Sequence, residues 1–468
     1  MEFLFVLGAF LLIICFFEWR LGLLIVLIVG FAQDPLRKLT PGEPISYVVL
    51  FMPFVFAVIL GFKNRGNKIS LSHFFEYHPA TRTPILLFIG VVLLGMAVAF
   101  VRTSNVIIPG IGGLAYLTPL MGILFFYHYI RTEVNVVRLF QLYIVVASVM
   151  GAGIYLTVWG FDWAILESVG EGLYIYPQSG GIYKLPSGLF RAPEVAAWHV
   201  TTAMCLLIVL VVSRQWRLGM VVAILVGLFL LGASFLTGRR KMIIEILIFV
   251  SVYGALLAYF GRGARKLSAF LLSAGLSLFA LDNLILPLEQ QSGFQPIIDR
   301  SSTLFDEAWG RFRLMTLESF RWVVNRHGYI GTGAGMASQG AQHFGGGSAL
   351  VGGSGEGGVA KVFTELGVIG LLMFFWVTVA LGVAMWRSIS NAAKQTAGSP
   401  MVSLTVGLCS LMVANFAVYV SAAQVFGDPF ILLLLGMMVG SVLSLPVVLE
   451  RQSMEKITIE HPVWIGNR

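Results

Sequence analysis

Apolar runs of bilayer-spanning length recur along almost the whole chain, separated by short polar punctuation. A helix needs about 20 residues to cross the hydrocarbon of a membrane. On that measure the runs predict spans over 2–17, 21–33, 45–62, 85–101, 111–130, 139–159, 194–213, 218–236, 242–260, 267–286, 361–386, 400–420 and 430–448. The first two are short, and Glu18-Trp19-Arg20 between them reads either as a tight turn or as a polar break in one long helix. The count is therefore twelve or thirteen. Pro35, Pro41 and Pro44 punctuate the loop that follows, since proline ends helices and favours turns. The expected organisation is about ten spans over 1–286, one large loop over 287–360, three further spans over 361–448 and a tail over 449–468.

Composition agrees with the pattern. Only 12% of the 468 residues are charged and 57% are hydrophobic, with a mean hydropathy of +0.87. Soluble domains carry about 25% charged residues, so this chain has too little polar surface to face water. The predicted class is an all-α membrane protein whose first partner is the lipid bilayer. The formal charge of +8 sits mostly in short loops, where it sets orientation rather than signalling nucleic acid. Cys15, Cys205 and Cys409 lie inside apolar runs and read as small buried residues rather than disulfides or metal ligands. No basic stretch or small-residue cleavage site marks the N-terminus as a signal peptide, so it reads as a retained helix.

Basic residues predict the sidedness. Lys63, Arg65, Lys68 and Arg82 face Glu76 alone in the 63–84 loop, which is expected to be cytoplasmic. Alternating from there puts Arg131 and Arg138, Arg214 and Arg217, Arg262 with Arg265 and Lys266, and Arg387 with Lys394 on the same side, with the C-terminal tail. The acidic 160–193 loop and the long 287–360 loop fall outside. One loop opposes the rule: Thr237-Gly238-Arg239-Arg240-Lys241 places three consecutive cations on the outer side. Either the helix count is off by one there, or the cluster is kept because it binds an anion. Arginine suits phosphate through its planar bidentate fork, and the second reading is favoured.

Candidate chemistry concentrates on that outer side. Around 300–327 charged residues alternate with Trp309, Phe312, Leu314, Leu317, Phe320 and Trp322 near helical spacing, which predicts an amphipathic helix. Residues 331–358 hold 12 glycines in 28 positions, a composition that suits either close approach to a ligand or plain flexibility. No P-loop and no Asp-x-Asp pair occur, which argues against a nucleotide-driven pump and against metal-dependent transfer from a nucleotide sugar. His199 reads as a satisfied core histidine. Arg102 and Asp162 read as water-exposed, and Glu245 as an i,i+4 partner of Lys241.

Several strings occur in a telling order: SGLFRAPE at 187–194, LTGRRK at 236–241, RFRLMTLESFRW followed by HGYIGTGAG, and SGEGGVAKVFTELGVIGLL at 354–372. In that order and spacing the chain resembles the bacterial O-antigen ligase and polysaccharide polymerase superfamily. The resemblance implies a bundle of about a dozen helices of the lipid-donor (GT-C-like) glycosyltransferase type in the inner membrane, multi-pass, with the large loop periplasmic and the C-terminus cytoplasmic. It implies transfer of a glycan from undecaprenyl diphosphate to an acceptor hydroxyl, with inversion, without metal or other cofactor. Chain-length regulators and export proteins of the same pathway are the implied protein partners, and no nucleic acid is implied. By the same resemblance Arg191, Arg239, Arg240 and Arg313, with Lys241 as a further cation, match the diphosphate-binding positions. Glu356 stands where the family carries a histidine, nine residues before Glu365-Leu366-Gly367. A carboxylate can serve as general base there if burial raises its pKa. His343 is the alternative base, and loss of catalysis is the third reading. The expected function is polymerisation of lipid-linked repeat units into a surface or exopolysaccharide. Ligation to lipid A core or protein is the alternative, and a polysaccharide or lipid-sugar transporter is the alternative from another class.

Overall fold

The computed structural model describes residues 2–130, 133–169, 174–175, 183–260, 318–344, 357–395 and 400–450, with single positions between 265 and 313. Apart from a two-residue antiparallel ladder, β1 (Tyr174–Ile175) with β2 (Tyr183–Lys184), the described elements are helical. Nine described helices are long and apolar enough to cross a membrane, and three shorter ones are apolar. The protein is a multi-pass, all-α membrane protein. The span expected over 267–286 and the tail beyond 450 lie largely or wholly outside the described residues.

The first three helices are α1 (Glu2–Phe17), α2 (Trp19–Leu39) and α3 (Met52–Asn64). Glu18 is a turn and not a break in one helix. A Cβ on Gly22 would lie 2.9 Å from Cys15 Cα, seven residues earlier, so the chain folds back on itself there. Pro35 does not end α2, which runs on to Leu39. Asp34 and Lys38 are buried on either side of that proline, and their polar contacts hold the last turn in place. After α4 (Leu71–Tyr77) come α5 (Arg82–Thr103), α6 (Ile107–Tyr129) and α7 (Glu133–Val158). Then follow α8 (Pro193–Val212), α9 (Met220–Leu236) and α10 (Arg240–Tyr259).

Beyond the incompletely described stretch lie α11 (Ser319–His327), α12 (Gln339–Phe344), α13 (Gly358–Gln395), α14 (Pro400–Ser421) and α15 (Pro429–Leu443). Two helices are apolar around their whole circumference and accordingly central, as a helix without a polar face must be. All of α8 except Glu194 is buried, within α7, α9, α10 and α14. All of α15 is buried, chiefly against α6. Small residues permit that second contact: a Cβ on Gly436 would lie 2.2 Å from the Pro119 carbonyl oxygen and one on Gly440 2.5 Å from that of Ile123. Without water to drive association, such close backbone packing is what joins helices in lipid.

The glycine-rich segment is not a free loop where it is described. Gly367 (φ 68°) breaks α13 and releases its carbonyls from helical pairing. The Thr364 and Glu365 carbonyls accept instead from the N–H groups of Thr332 and Gly333 at 2.7 and 2.9 Å, while Val368 N–H donates to the Tyr329 carbonyl. Residues 331–338 are thereby wedged between α5, α6 and α13. Gly335, at φ 91°, has no room for a side chain, since a Cβ would meet the Ile108 carbonyl oxygen at 2.1 Å. Gly335→Val should therefore destabilise the protein by more than the roughly 1–3 kcal/mol of a strained backbone position alone. Gly90→Ala, inside α5 with open space around it, should be neutral or stabilising by up to about 1 kcal/mol. Melting temperatures of both variants in detergent check the contrast.

Candidate functional site at one end of the bundle

Helix directions alternate, so the described basic loops gather at one end of the bundle. Arg65 reaches the Phe17 carbonyl and Glu18 there, and Gln141 reaches Gln215. The opposite end gathers the last turn of α2, the 159–192 loop, the starts of α8, α10 and α13, and the α14–α15 turn. Beside the exposed Lys184–Glu167 pair, two largely shielded ionic groups lie there among the described residues.

The first is built on Arg191. Its Nη1 lies 3.0 Å from Asp34 Oδ1 and its Nη2 2.6 Å from Asp428 Oδ2, with side-chain exposures of 12%, 5% and 2% respectively. Its backbone N–H donates to Asp34 Oδ2 as well. Burial alone would lower the guanidinium pKa; the carboxylates of Asp428 and Asp34 outweigh that and hold it above its ordinary value. Both carboxylates precede a proline, Pro35 and Pro429, and Asp428 also caps α15 by accepting from the Phe430 N–H at 2.8 Å. Lys38 completes the staple: its ammonium donates to the Gly188 and Ile165 carbonyls at 2.6 and 3.2 Å. Arg191, expected at a diphosphate, thus has both terminal nitrogens engaged by the fold.

The second group is the basic turn. Arg239 Nη1 and Lys241 Nζ lie 3.2 and 3.1 Å from the same atom, Glu194 Oε1. With its amide nitrogen turned toward this carboxylate, Gln424 donates to both oxygens at 2.6 and 2.8 Å. Arg240, half-buried, opens α10 beside them. Arg239 and Lys241 thus share one carboxylate oxygen at the positive end of a helix dipole, which favours anions and not cations. Chemically, such an arrangement can take an anion in place of the carboxylate oxygen.

Directly beneath lies a buried polar layer. Asn415 on α14 donates to Glu245 Oε1 at 2.8 Å and accepts from the Trp198 indole at 2.7 Å. Glu245 is therefore not Lys241's partner as the i,i+4 spacing suggested: Lys241 turns to Glu194, and Glu245 turns inward. His199 is a satisfied core histidine, its Nδ1 2.8 Å from the Tyr143 hydroxyl. Arg102 is not simply water-exposed; its Nη1 donates to the Thr332 carbonyl and fastens the glycine segment. Glu365, buried, accepts from the Tyr116 hydroxyl at 2.7 Å and from the Ala337 N–H at 3.1 Å.

Arg313 is exposed and faces Glu318 at 3.7 Å, and among the described residues it makes no ion pair with the Arg239 group. His343 falls in α12, but its side chain, like the whole of Glu356, lies outside the described residues. The amphipathic helix expected over 300–327 is described only in α11, which buries Val323 against Ala360 and Phe363. No three His, Cys, Asp or Glu side chains converge on a point among the described residues. Sequence reasoning missed Asp34, Asp428, Gln424 and Asn415. Two of them carried a signal, a lone aspartate before proline at the edge of an apolar run.

No protein-family model matches the chain, and no curated protein is similar enough in sequence to match it. The site therefore rests on its own geometry.

Asp428→Asn isolates the ion pair, because asparagine caps a helix about as well as aspartate. Leaving Arg191 short of one charge in a buried site should cost about 3–5 kcal/mol. The variant should show a clear fall in melting temperature and reduced yield from the membrane; an unchanged melt would mean the pair contributes little.

Proposed function

We propose that the chain transfers a glycan from a polyprenyl diphosphate to an acceptor sugar hydroxyl, acting as a polymerase of lipid-linked repeat units. The observation that carries the reading is the Arg239–Arg240–Lys241 turn, two of whose cations close on the single oxygen Glu194 Oε1. By the positive-inside rule the end opposite the basic loops faces outward. Three consecutive cations kept there against orientation preference suit an anionic ligand, and a diphosphate at a membrane surface is such a ligand.

In this mechanism Arg239, Arg240 and Lys241 hold the diphosphate and stabilise the charge that develops as it leaves. The acceptor oxygen attacks the anomeric carbon from the opposite face, the carbon–oxygen bond to the diphosphate breaks, and its electron pair stays on the phosphate oxygen. The configuration inverts. The hydroxyl proton passes to a base, for which Glu356 is the first candidate and His343 the second. Arg191 supports this site by fixing the start of α8, hence Glu194, and Arg313 would join from the large loop. Neither metal nor nucleotide enters. Ligation to lipid A core or protein uses the same steps and differs only in the acceptor. A transporter is the reading from another class; it wants ionisable groups facing one another within the spans, whereas Glu245 is directed to Asn415 and Glu365 to Tyr116.

A strain lacking the protein, complemented with wild type, Arg239→Ala or Glu356→Gln, tests this by the length profile of its polysaccharide. The polymerase reading expects collapse to single repeat units, restored by wild type alone. Full complementation by Glu356→Gln would move the base to His343. Long polymer that fails to reach its acceptor would mean a ligase, and an unchanged profile in every strain would remove the enzymatic reading.

A further inference from the structure

A cavity of about 360 Å³ lies between α6, α13, α14 and α15. Its walls are almost wholly apolar, with Phe88, Phe374, Met412 and Leu435 among the lining residues. Gly382 and Val413, both exposed on the flank of the bundle, lie at its edge, so it opens sideways to the surrounding lipid. Along α14 the lining runs from Tyr419 to Cys409, about 15 Å of helix.

The polar groups on this wall are spent inside the protein with one exception. Tyr116 donates to Glu365, Tyr419 to the Gly358 carbonyl, Thr378 to the Phe374 carbonyl, and Asn415 is saturated by Glu245, Leu411 and Trp198. Lys361 is the exception. It is only 9% exposed, lines the cavity, and its ammonium has no hydrogen-bond or ion-pair partner among the described residues. It also stands in the first turn of α13, where the helix dipole already favours an anion. An ammonium without a protein partner can take an anion, and this one stands at the site end of an apolar slot.

We propose that this cavity is a binding site for a single-chain lipid with an anionic headgroup, the headgroup on Lys361 and the chain running along α13 and α14 toward Gly382. The charge of Lys361 selects the headgroup. The apolar walls select the chain, and the volume, near the lower end of the roughly 300–1,000 Å³ range of small-ligand pockets, accommodates one chain in preference to two. The site stands on Lys361 and the cavity alone and is independent of the transfer chemistry at Arg239.

The test is native mass spectrometry of the full chain in detergent with oleoyl lysophosphatidic acid, mono-oleoylglycerol and inorganic phosphate. Lys361→Gln removes the headgroup contact. Gly382→Phe fills the slot from a position where a Cβ meets nothing within 4 Å, so it blocks the chain without disturbing a packed neighbour. The proposal expects the lysophosphatidic acid to bind wild type at least tenfold more tightly than either variant. Mono-oleoylglycerol should bind wild type and Lys361→Gln equally, and weakly. Arg239→Ala should bind the lysolipid like wild type. Equal binding of the lysolipid to wild type, Lys361→Gln and Gly382→Phe would overturn the proposal. So would inorganic phosphate competing as well as the lipid, which would mean a free-anion site without a chain.

Discussion

The buried arginine between two aspartates is the constraint on which the site end depends. Arg191 ties the end of α2 to the start of α15 through Asp34 and Asp428, which stand far apart in sequence and meet on its guanidinium. A buried charge is tolerated only when its partners are in place, so this node fixes three segments at once. The residue three positions on is Glu194, in the first turn of α8. Once Arg191 is seated, Glu194 is seated, and with it the two cations that close on its carboxylate.

Charge at this end is thus divided by role. Arg191 and Lys38 are consumed by the fold, one on carboxylates and the other on loop carbonyls. Arg239 and Lys241 share a single carboxylate oxygen that an incoming anion could replace. The layer beneath, from Trp198 through Asn415 to Glu245, joins α8, α10 and α14 under the basic turn. Tyr419 on the same face of α14, one turn on from Asn415, borders the lipid-facing cavity. One helix therefore carries both the polar layer under the basic turn and one wall of the apolar slot.

Much of the fold was legible in the chain because lipid imposes a simple rule: every spanning backbone must satisfy itself as helix, and run length marks where. The described helices follow the apolar runs closely. The misses occur where polar contacts override local signals. Pro35 looked like an end to α2, but Asp34 and Lys38 anchor residues beyond it. Lys241 and Glu245 looked like a pair by spacing, but tertiary partners took both. The glycine segment looked like a loop because composition cannot reveal that broken-helix carbonyls at 364 and 365 await its N–H groups. The Arg239–Arg240–Lys241 cluster was visible as a breach of the charge rule; its pairing with Glu194, and the Gln424 that donates to the same carboxylate, were not.

The central claim is the division between a structural arginine and a ligand-binding pair. Its most direct test is the thermal melt of wild type, Arg191→Gln and Arg239→Gln, each with and without geranylgeranyl diphosphate. The account predicts that the diphosphate raises the melting temperature of wild type. Arg239→Gln should melt near wild type but lose that rise, while Arg191→Gln should melt markedly lower without ligand. If Arg191→Gln melts like wild type, or Arg239→Gln keeps the full rise, the division is wrong.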